Sequence, residues 1–282
     1  MNIFIDFLKT YFIYIITTLI LVLLIYRTTI IYKLKNNNII NNLKIDMIDF
    51  VGNKEFLETN NLVSHFNNNI MAVMADGHGK NFVGKKSSKV AIQTFDHLFR
   101  TYKNLNNINY FFKNAFNLAN KEILKYIDDE MGGTSVSCAV VKQGYLYYAV
   151  CGNVNISIFR NDEIIPLSEG HTIDVYAKDK YYKGQLQKQV ALQALKDKRL
   201  LNYLGQDGFK DIEYYDRPVK LKKDDVIVIL NSGISEIIPL LKIEEILSTN
   251  FDKACYKIKK EFEKRRDYKE DNGSVILMKY KK

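Results

Sequence analysis

Short apolar runs separated by polar turns recur along most of this chain, and they predict strands. Ile70–Ala75 (IMAVMA), Ser135–Val141 (SVSCAVV), Tyr145–Val150 (YLYYAV), Ile156–Phe159, Val226–Leu230 (VIVIL) and Val275–Tyr280 (VILMKY) are rich in β-branched or aromatic side chains. Lys142-Gln143-Gly144 and Arg160-Asn161-Asp162 supply turn signals between neighbouring runs. Two segments have the helical period instead. Ser88–Lys103 and Ile108–Ile127 place apolar residues three and four apart with charges between them, which predicts helices. Helices after the first core strand, and then a series of strands, point to an α+β sandwich.

The N-terminal segment has neither period. Thr10–Tyr26 carries no charged residue and is dominated by Ile, Leu, Val, Phe and Tyr. At ~1.5 Å rise per residue this run sits at the short end of what spans a bilayer, and the apolar character resumes after Arg27 through Tyr32. It reads as one transmembrane helix. A cleaved signal peptide is the competing reading, but Asp6 shares the leading region with Lys9 and no small-x-small cleavage site comes after it. Arg27, Lys33, Lys35 and Lys44 lie after the span, whereas only Lys9 and the terminal amine precede it. That asymmetry predicts a single-pass membrane protein with its large C-terminal part in the cytoplasm. Asn36–Asn38 through Asn42 reads as a polar linker, so residues 1–45 form anchor and linker and residues 46–282 the main domain.

Composition narrows the partners. The net charge of +9 is spread along the chain apart from clusters such as Lys264-Arg265-Arg266, and no nucleic-acid-binding motif accompanies it. A nucleic-acid partner is therefore not expected. The three cysteines, Cys138, Cys151 and Cys255, form neither a disulfide framework nor a CxxC pair.

Candidate chemistry concentrates in two places. Asp76-Gly77-His78-Gly79 comes directly after the apolar run Ile70–Ala75. A carboxylate and a glycine carbonyl at a strand's end can share one hard divalent ion, and His78 can donate a proton to a leaving oxygen. The plainer reading is a strand-to-turn element in which Asp and Gly serve geometry alone. The second place, Glu270-Asp271-Asn272-Gly273, stands just before the last strand, where Asn-Gly is also an ordinary hairpin turn. His65 and His97 lack acidic or cysteine neighbours at ligand spacing and read as structural.

The order of these segments resembles the type 2C protein phosphatase family, over roughly Val51–Tyr280. Asp76-Gly77-His78-Gly79 is similar to its DGHG element, and Met131–Ser135 (MGGTS) to its glycine-threonine element. Tyr148–Phe159 (YAVCGNVNISIF) is similar to its strand-GDSR-strand hairpin, and Leu167–Thr172 (LSEGHT) to the stretch after that hairpin. Leu204-Gly205, after a helical Leu186–Leu201, fits its Leu-Gly pair. Asp224–Ile238 is similar to the strand ending in Ser-Asp-Gly, and Asp271-Asn272 to the terminal Asp-Asn.

The resemblance implies a PP2C-like β-sandwich of two antiparallel sheets flanked by helices, with a Mn²⁺ or Mg²⁺ centre that activates water against a phosphoprotein. Carried over residue by residue, it makes Asp76, Gly77, Asp271 and Glu58 metal ligands, Lys54 the phosphate-binding cation and His78 a proton donor. Three positions depart from the pattern. Ser232 stands where the family has a ligand aspartate, Asn153 where GDSR has its aspartate, and Thr59 comes after Glu58 where an aspartate is usual. The remaining acidic residues allow one ion or none rather than two. Two functions are compatible with this set: a membrane-anchored serine/threonine phosphatase, or a pseudophosphatase that holds a partner without turning it over.

Overall fold

The computed structural model describes residues 12, 14–28, 42–80, 82–102, 105–127, 131–209, 212–265 and 271–282. The chain divides into two compact units, Met1–Asn42 and Leu43–Lys282. In the first unit a helix, α1, covers residues 14–28. Its apolar side chains face outward, and Leu19, Ile20, Leu21, Val22, Leu23 and Leu24 are each more than half exposed. Among the described residues no helix is long and apolar enough to cross a membrane. Thr10, Tyr11 and Ile13 of the expected span lie outside the described residues, as do Asp6, Lys9, Lys33, Lys35 and Asn36–Asn38.

The second unit is built on two antiparallel sheets. One has the order β1 (Leu43–Phe50), β11 (Gly273–Tyr280), β10 (Val226–Leu230), β6 (Asn155–Arg160) and β7 (Glu163–Pro166). The other runs β2 (Thr59–Phe66), β3 (Asn69–Gly79), β4 (Gly132–Lys142), β5 (Tyr145–Cys151) and β8 (Glu213–Tyr214), with β9 (Val219–Lys220) also pairing with β5. Helices α2 (Val83–Thr101) and α3 (Ile108–Ile127) cover the second sheet. Helices α6 (Ser232–Ile237), α7 (Leu240–Thr249) and α8 (Ala254–Glu263) cover the first. Between β7 and β8 lie α4 (Ile173–Tyr182) and α5 (Lys188–Ala194).

Side-chain alternation explains the layers. Met71, Val73 and Ala75 of β3 join Ala91, Phe95 and Phe99 of α2 and Phe112 and Phe116 of α3 in one fully buried cluster. Phe95 and Phe116 meet edge to face at 5.0 Å, a geometry favoured by the ring quadrupoles. Ile70, Ala72 and Met74 point the other way and are equally buried, as are Ile227, Ile229, Ile276 and Met278 of the first sheet. Contacts of β11 with β2 and β3 bring these two faces together. A strand buried on both sides reads as a continuous apolar run, which is why β3, β10 and β11 are visible in the sequence.

Three elements differ from expectation. The apolar run at Ile70 continues as strand through Gly79, so Asp76-Gly77-His78-Gly79 is paired backbone and not a turn. The main unit begins with β1 at Leu43, inside the stretch expected to be linker. The helix expected over Leu186–Leu201 is confined to Lys188–Ala194. Beyond it Asp197 accepts hydrogen bonds from the backbone and side chain of Arg199, and Leu200 forms a bridge with Thr172. An Asp side chain bonded to a nearby backbone amide competes with helix continuation.

Candidate functional site

The two sheets meet at one end, where their strand termini carry the candidate polar residues. Asp76 lies on β3, paired with Thr59 of β2 on one side and Ser135 of β4 on the other. Glu58 immediately precedes β2, and its carbonyl accepts a hydrogen bond from the Gly77 amide at 3.2 Å. From the opposite sheet come Asp271, just before β11, and Ser232, the first residue of α6 after β10. A cavity of about 440 Å³ is lined by Lys54, Asp76, Gly77, His78, Asn153, Tyr203, Ser232 and Asp271, with Lys198 and Arg199 also on its wall. Strand ends distant in sequence thus converge on one pocket.

Asp76 is held by neutral donors. Its Oδ2 accepts hydrogen bonds from Asn231 Nδ2 and Ser232 Oγ, each at 3.3 Å. Its carboxyl is raised to about 7: burial is the main cause and the charge of Asp271 helps, while Lys54, Asn231 and Ser232 pull the other way. Asn231 is a hub that sequence reading does not assign to the site. Fully buried, it caps α6 by accepting from the Ile234 amide at 3.3 Å and also accepts from the Ser274 amide at 3.0 Å. Its Nδ2 donates to the Asn272 carbonyl at 2.8 Å. An Asn before a short apolar helical stretch is an N-cap signal, and that signal marks this residue.

Lys54 occupies the space between the other two carboxylates. Its Nζ donates to Glu58 Oε2 at 2.8 Å and to Asp271 Oδ1 at 2.7 Å. Burial opposes the charge on this amine, but the bonds to Asp271 and Glu58 outweigh it and hold the ammonium above the ordinary lysine value. The loop that carries Lys54 is fastened by Asn272, whose Oδ1 accepts from the Gly52 amide at 3.3 Å and whose Nδ2 donates to the Phe56 carbonyl at 2.9 Å.

His78 stacks edge-on against Tyr203 at 4.5 Å, and its buried Nδ1 has no hydrogen-bond partner among the described residues. Burial above all, with the Lys54 charge acting in the same direction and Asp271 against it, lowers its pKa to about 4. Asn153 accepts from Ser135 Oγ at 2.9 Å, and His171 fastens the neighbouring turn by accepting from the Gly152 amide at 3.1 Å.

Asp76, Gly77, Glu58, Asp271, Lys54 and His78 therefore all reach one neighbourhood, but not as the shell of an Mg²⁺ or Mn²⁺ ion. Hard cations take about six oxygen ligands at roughly 2.0–2.6 Å, several of them carboxylate. Here an ammonium lies between Glu58 and Asp271, Asp76 is turned to protein donors, and the residue facing it at the end of β10 is the neutral Ser232. Among the described residues no group of three His, Cys, Asp or Glu side chains could hold a metal ion. The residues present do not fit the metal centre that the family pattern implies.

Comparison with known proteins places the fold. Residues 40–175 match the model of the family Protein phosphatase 2C. No curated protein matches the chain. The S. agalactiae serine/threonine phosphatase superposes with a TM-score of 0.74 at 17% identity, covering 85% of this chain and 100% of that one. The Mycobacterium tuberculosis serine/threonine phosphatase PstP/Ppp gives 0.70 at 15% identity, covering 85% and 99%. A catalytic domain of PstP in complex with two manganese ions gives 0.67 at 16% identity, covering 85% and 99%. At these identities the likeness to the solved structures is one of fold. The family match covers the first strands and helices of the domain, and the likeness to the solved phosphatases extends the same sandwich over the rest, so the domain has a PP2C-like fold.

Proposed function

We propose that this protein is a membrane-tethered PP2C-like pseudophosphatase, which binds phosphorylated protein segments at the cavity beside Asp76 without hydrolysing them. One observation carries the reading: Asp76 Oδ2 is hydrogen-bonded to Ser232 and Asn231, neutral groups where a second ligand carboxylate is needed for a metal-activated water. Recognition rests on the cavity wall, where the exposed side chains of Lys198 and Arg199, paired with Asp174 and Asp197, would turn to an incoming phosphate. A guanidinium is suited to phosphate because its planar fork can contact two oxygens at once. Similarity to serine/threonine phosphatases suggests phosphoserine or phosphothreonine as the bound group.

The test is fluorescence polarisation of the full chain with a phosphothreonine peptide and its unphosphorylated twin, beside a phosphate-release assay in Mn²⁺. The phosphopeptide should bind more tightly, the Lys198→Glu/Arg199→Glu double variant should lose roughly tenfold or more in affinity, and no phosphate should be released. Equal affinity for both peptides would sink the binding reading. A second reading, hydrolysis at a depleted centre, is favoured by the convergence of Asp76, Gly77, Glu58 and Asp271 on one neighbourhood. Mn²⁺-dependent phosphate release that disappears in Asp76→Asn would establish it instead.

The tether is supported by the outward-facing apolar side chains from Leu19 to Leu24 and by the positive charges of Arg27 and Lys44 after them. The full chain is expected to stay in the membrane fraction after alkaline carbonate extraction and to be released when residues 1–42 are deleted. Protease added outside intact cells should leave the domain from Leu43 onward uncut. Release of the undeleted chain by carbonate would reject the tether, and cleavage from outside would reject the cytoplasmic orientation.

A further inference from the structure

We propose that Lys54 is the resident cation of this centre: its ammonium takes the place of a divalent ion between Glu58 and Asp271, and the domain folds and holds its site without metal. The geometry is that of charge-assisted hydrogen bonds, 2.8 Å to Glu58 Oε2 and 2.7 Å to Asp271 Oδ1. These two acids lead into strands of different sheets, Glu58 immediately before β2 and Asp271 just before β11. Left alone, the pair would repel across the sandwich. The ammonium joins them instead, which is the structural part a bridging ion plays.

Isolated surface ion pairs hold little, but Lys54 is not placed by its own flexible chain alone. Asn272, next in sequence to Asp271 and 1% exposed, grips the Lys54 loop at both the Gly52 amide and the Phe56 carbonyl. The same loop end is fixed again where the Gly77 amide meets the Glu58 carbonyl. Loop, lysine and both acids therefore form one braced unit. The third acid needs no cation of its own, because Asn231 and Ser232 already donate to Asp76. An entering ion would have to expel a lysine held at two carboxylates and would find Asp76 turned to other partners.

The experiment uses the full chain in metal-free buffer, with two readouts: Mn²⁺ binding from the electron paramagnetic resonance signal of the free ion, and the melting temperature in Mn²⁺ or in EDTA. The wild type is expected to deplete no Mn²⁺ at submillimolar concentrations and to melt at the same temperature in both conditions. Lys54→Met should melt lower in EDTA, recover in Mn²⁺, and bind Mn²⁺ at least about tenfold more tightly than the wild type. If Lys54→Met does not fold, Lys54→Gln, which keeps a donor toward Glu58 without the charge, carries the same comparison. A wild type that binds Mn²⁺ and melts higher with it would overturn the inference, and this arm needs no variant. So would a folded Lys54→Met protein as stable as the wild type in EDTA and indifferent to Mn²⁺. Phosphopeptide affinity enters neither readout, so this inference and the binding reading fail separately.

Discussion

Arg160→Met is expected to destabilise the domain by about 3–5 kcal/mol, the range seen when one partner of a buried ion pair is removed. Arg160, the last residue of β6, forks onto Asp225 just before β10: Nε donates to Oδ1 at 2.8 Å and Nη2 to Oδ2 at 2.6 Å. The Asp225 side chain is 2% exposed, and Oδ2 also accepts from the Lys222 amide at 2.6 Å. Without the guanidinium a carboxylate stays buried with its charge uncompensated, and the Lys220 carbonyl loses a donor at 3.0 Å as well. Methionine fills much of the arginine's volume, so the loss reports charge and hydrogen bonding more than a cavity. Asp225→Asn should cost less, about 1–3 kcal/mol, because it removes the charge and keeps an acceptor. Guanidinium denaturation of the two variants checks both values. A loss under about 1 kcal/mol for Arg160→Met would mean that solvent or a neighbouring lysine compensates Asp225. Neither residue lines the cavity at Asp76, so the folded fraction should bind phosphopeptide as the wild type does.

How much of the fold is legible in the sequence depends on how locally each feature is determined. β3, β4, β10 and β11 are buried over nearly their whole length, so their apolar runs stand out. β2, by contrast, reads Thr-Asn-Asn-Leu-Val-Ser-His-Phe and has no strand-like composition. It is a strand because β3 offers it an edge, a tertiary cause outside any local window. β1 does alternate, Leu-Lys-Ile-Asp-Met-Ile-Asp-Phe, but only its two ends are buried, and it pairs with the last strand of the chain.

The site divides in the same way. Asp76 and Asp271 are readable as strand-end carboxylates, and both reach the cavity. The substitution at Ser232 is equally legible, and in the structure its hydroxyl faces Asp76. The position of Lys54 is not legible. The family pattern assigns it the phosphate-binding role, whereas its actual partners come from the packing of one sheet's loop against the other sheet's strand end. The same holds for Asn272, whose two bonds to the Gly52 amide and Phe56 carbonyl have no sequence signature. Asp76-Gly77-His78-Gly79 can thus survive as a motif in a site where the ion's place is filled, provided something other than metal requires these residues.

For Gly77 the requirement is steric, and Gly77→Ala is expected to cost at least about 3 kcal/mol. Its φ lies outside the left-handed region, so alanine could adopt the backbone angles without strain. A Cβ built there, however, would sit 2.1 Å from the Gly84 carbonyl oxygen and 2.8 Å from the Glu58 carbonyl oxygen. Both obstacles are backbone, so no rotamer change relieves them. The relation is reciprocal, since a Cβ on Gly84 would come within 2.7 Å of the His78 amide nitrogen. The first turn of α2 therefore lies directly on the end of β3, which is itself paired on both edges with β2 and β4. To admit one methyl group α2 must lift and draw its own Phe95 and Phe99 out of the core, or the strand must leave its ladder, and either movement exposes core. If Gly77 served only to present a carbonyl to an ion, alanine would be tolerated in metal-free buffer and would show its cost only in Mn²⁺. Packing predicts the opposite: the same loss of stability in EDTA and in Mn²⁺, measured by chemical denaturation of the full chain. A folded Gly77→Ala protein within about 1 kcal/mol of the wild type in EDTA would show that α2 and β3 do not press on each other as closely as their backbones indicate.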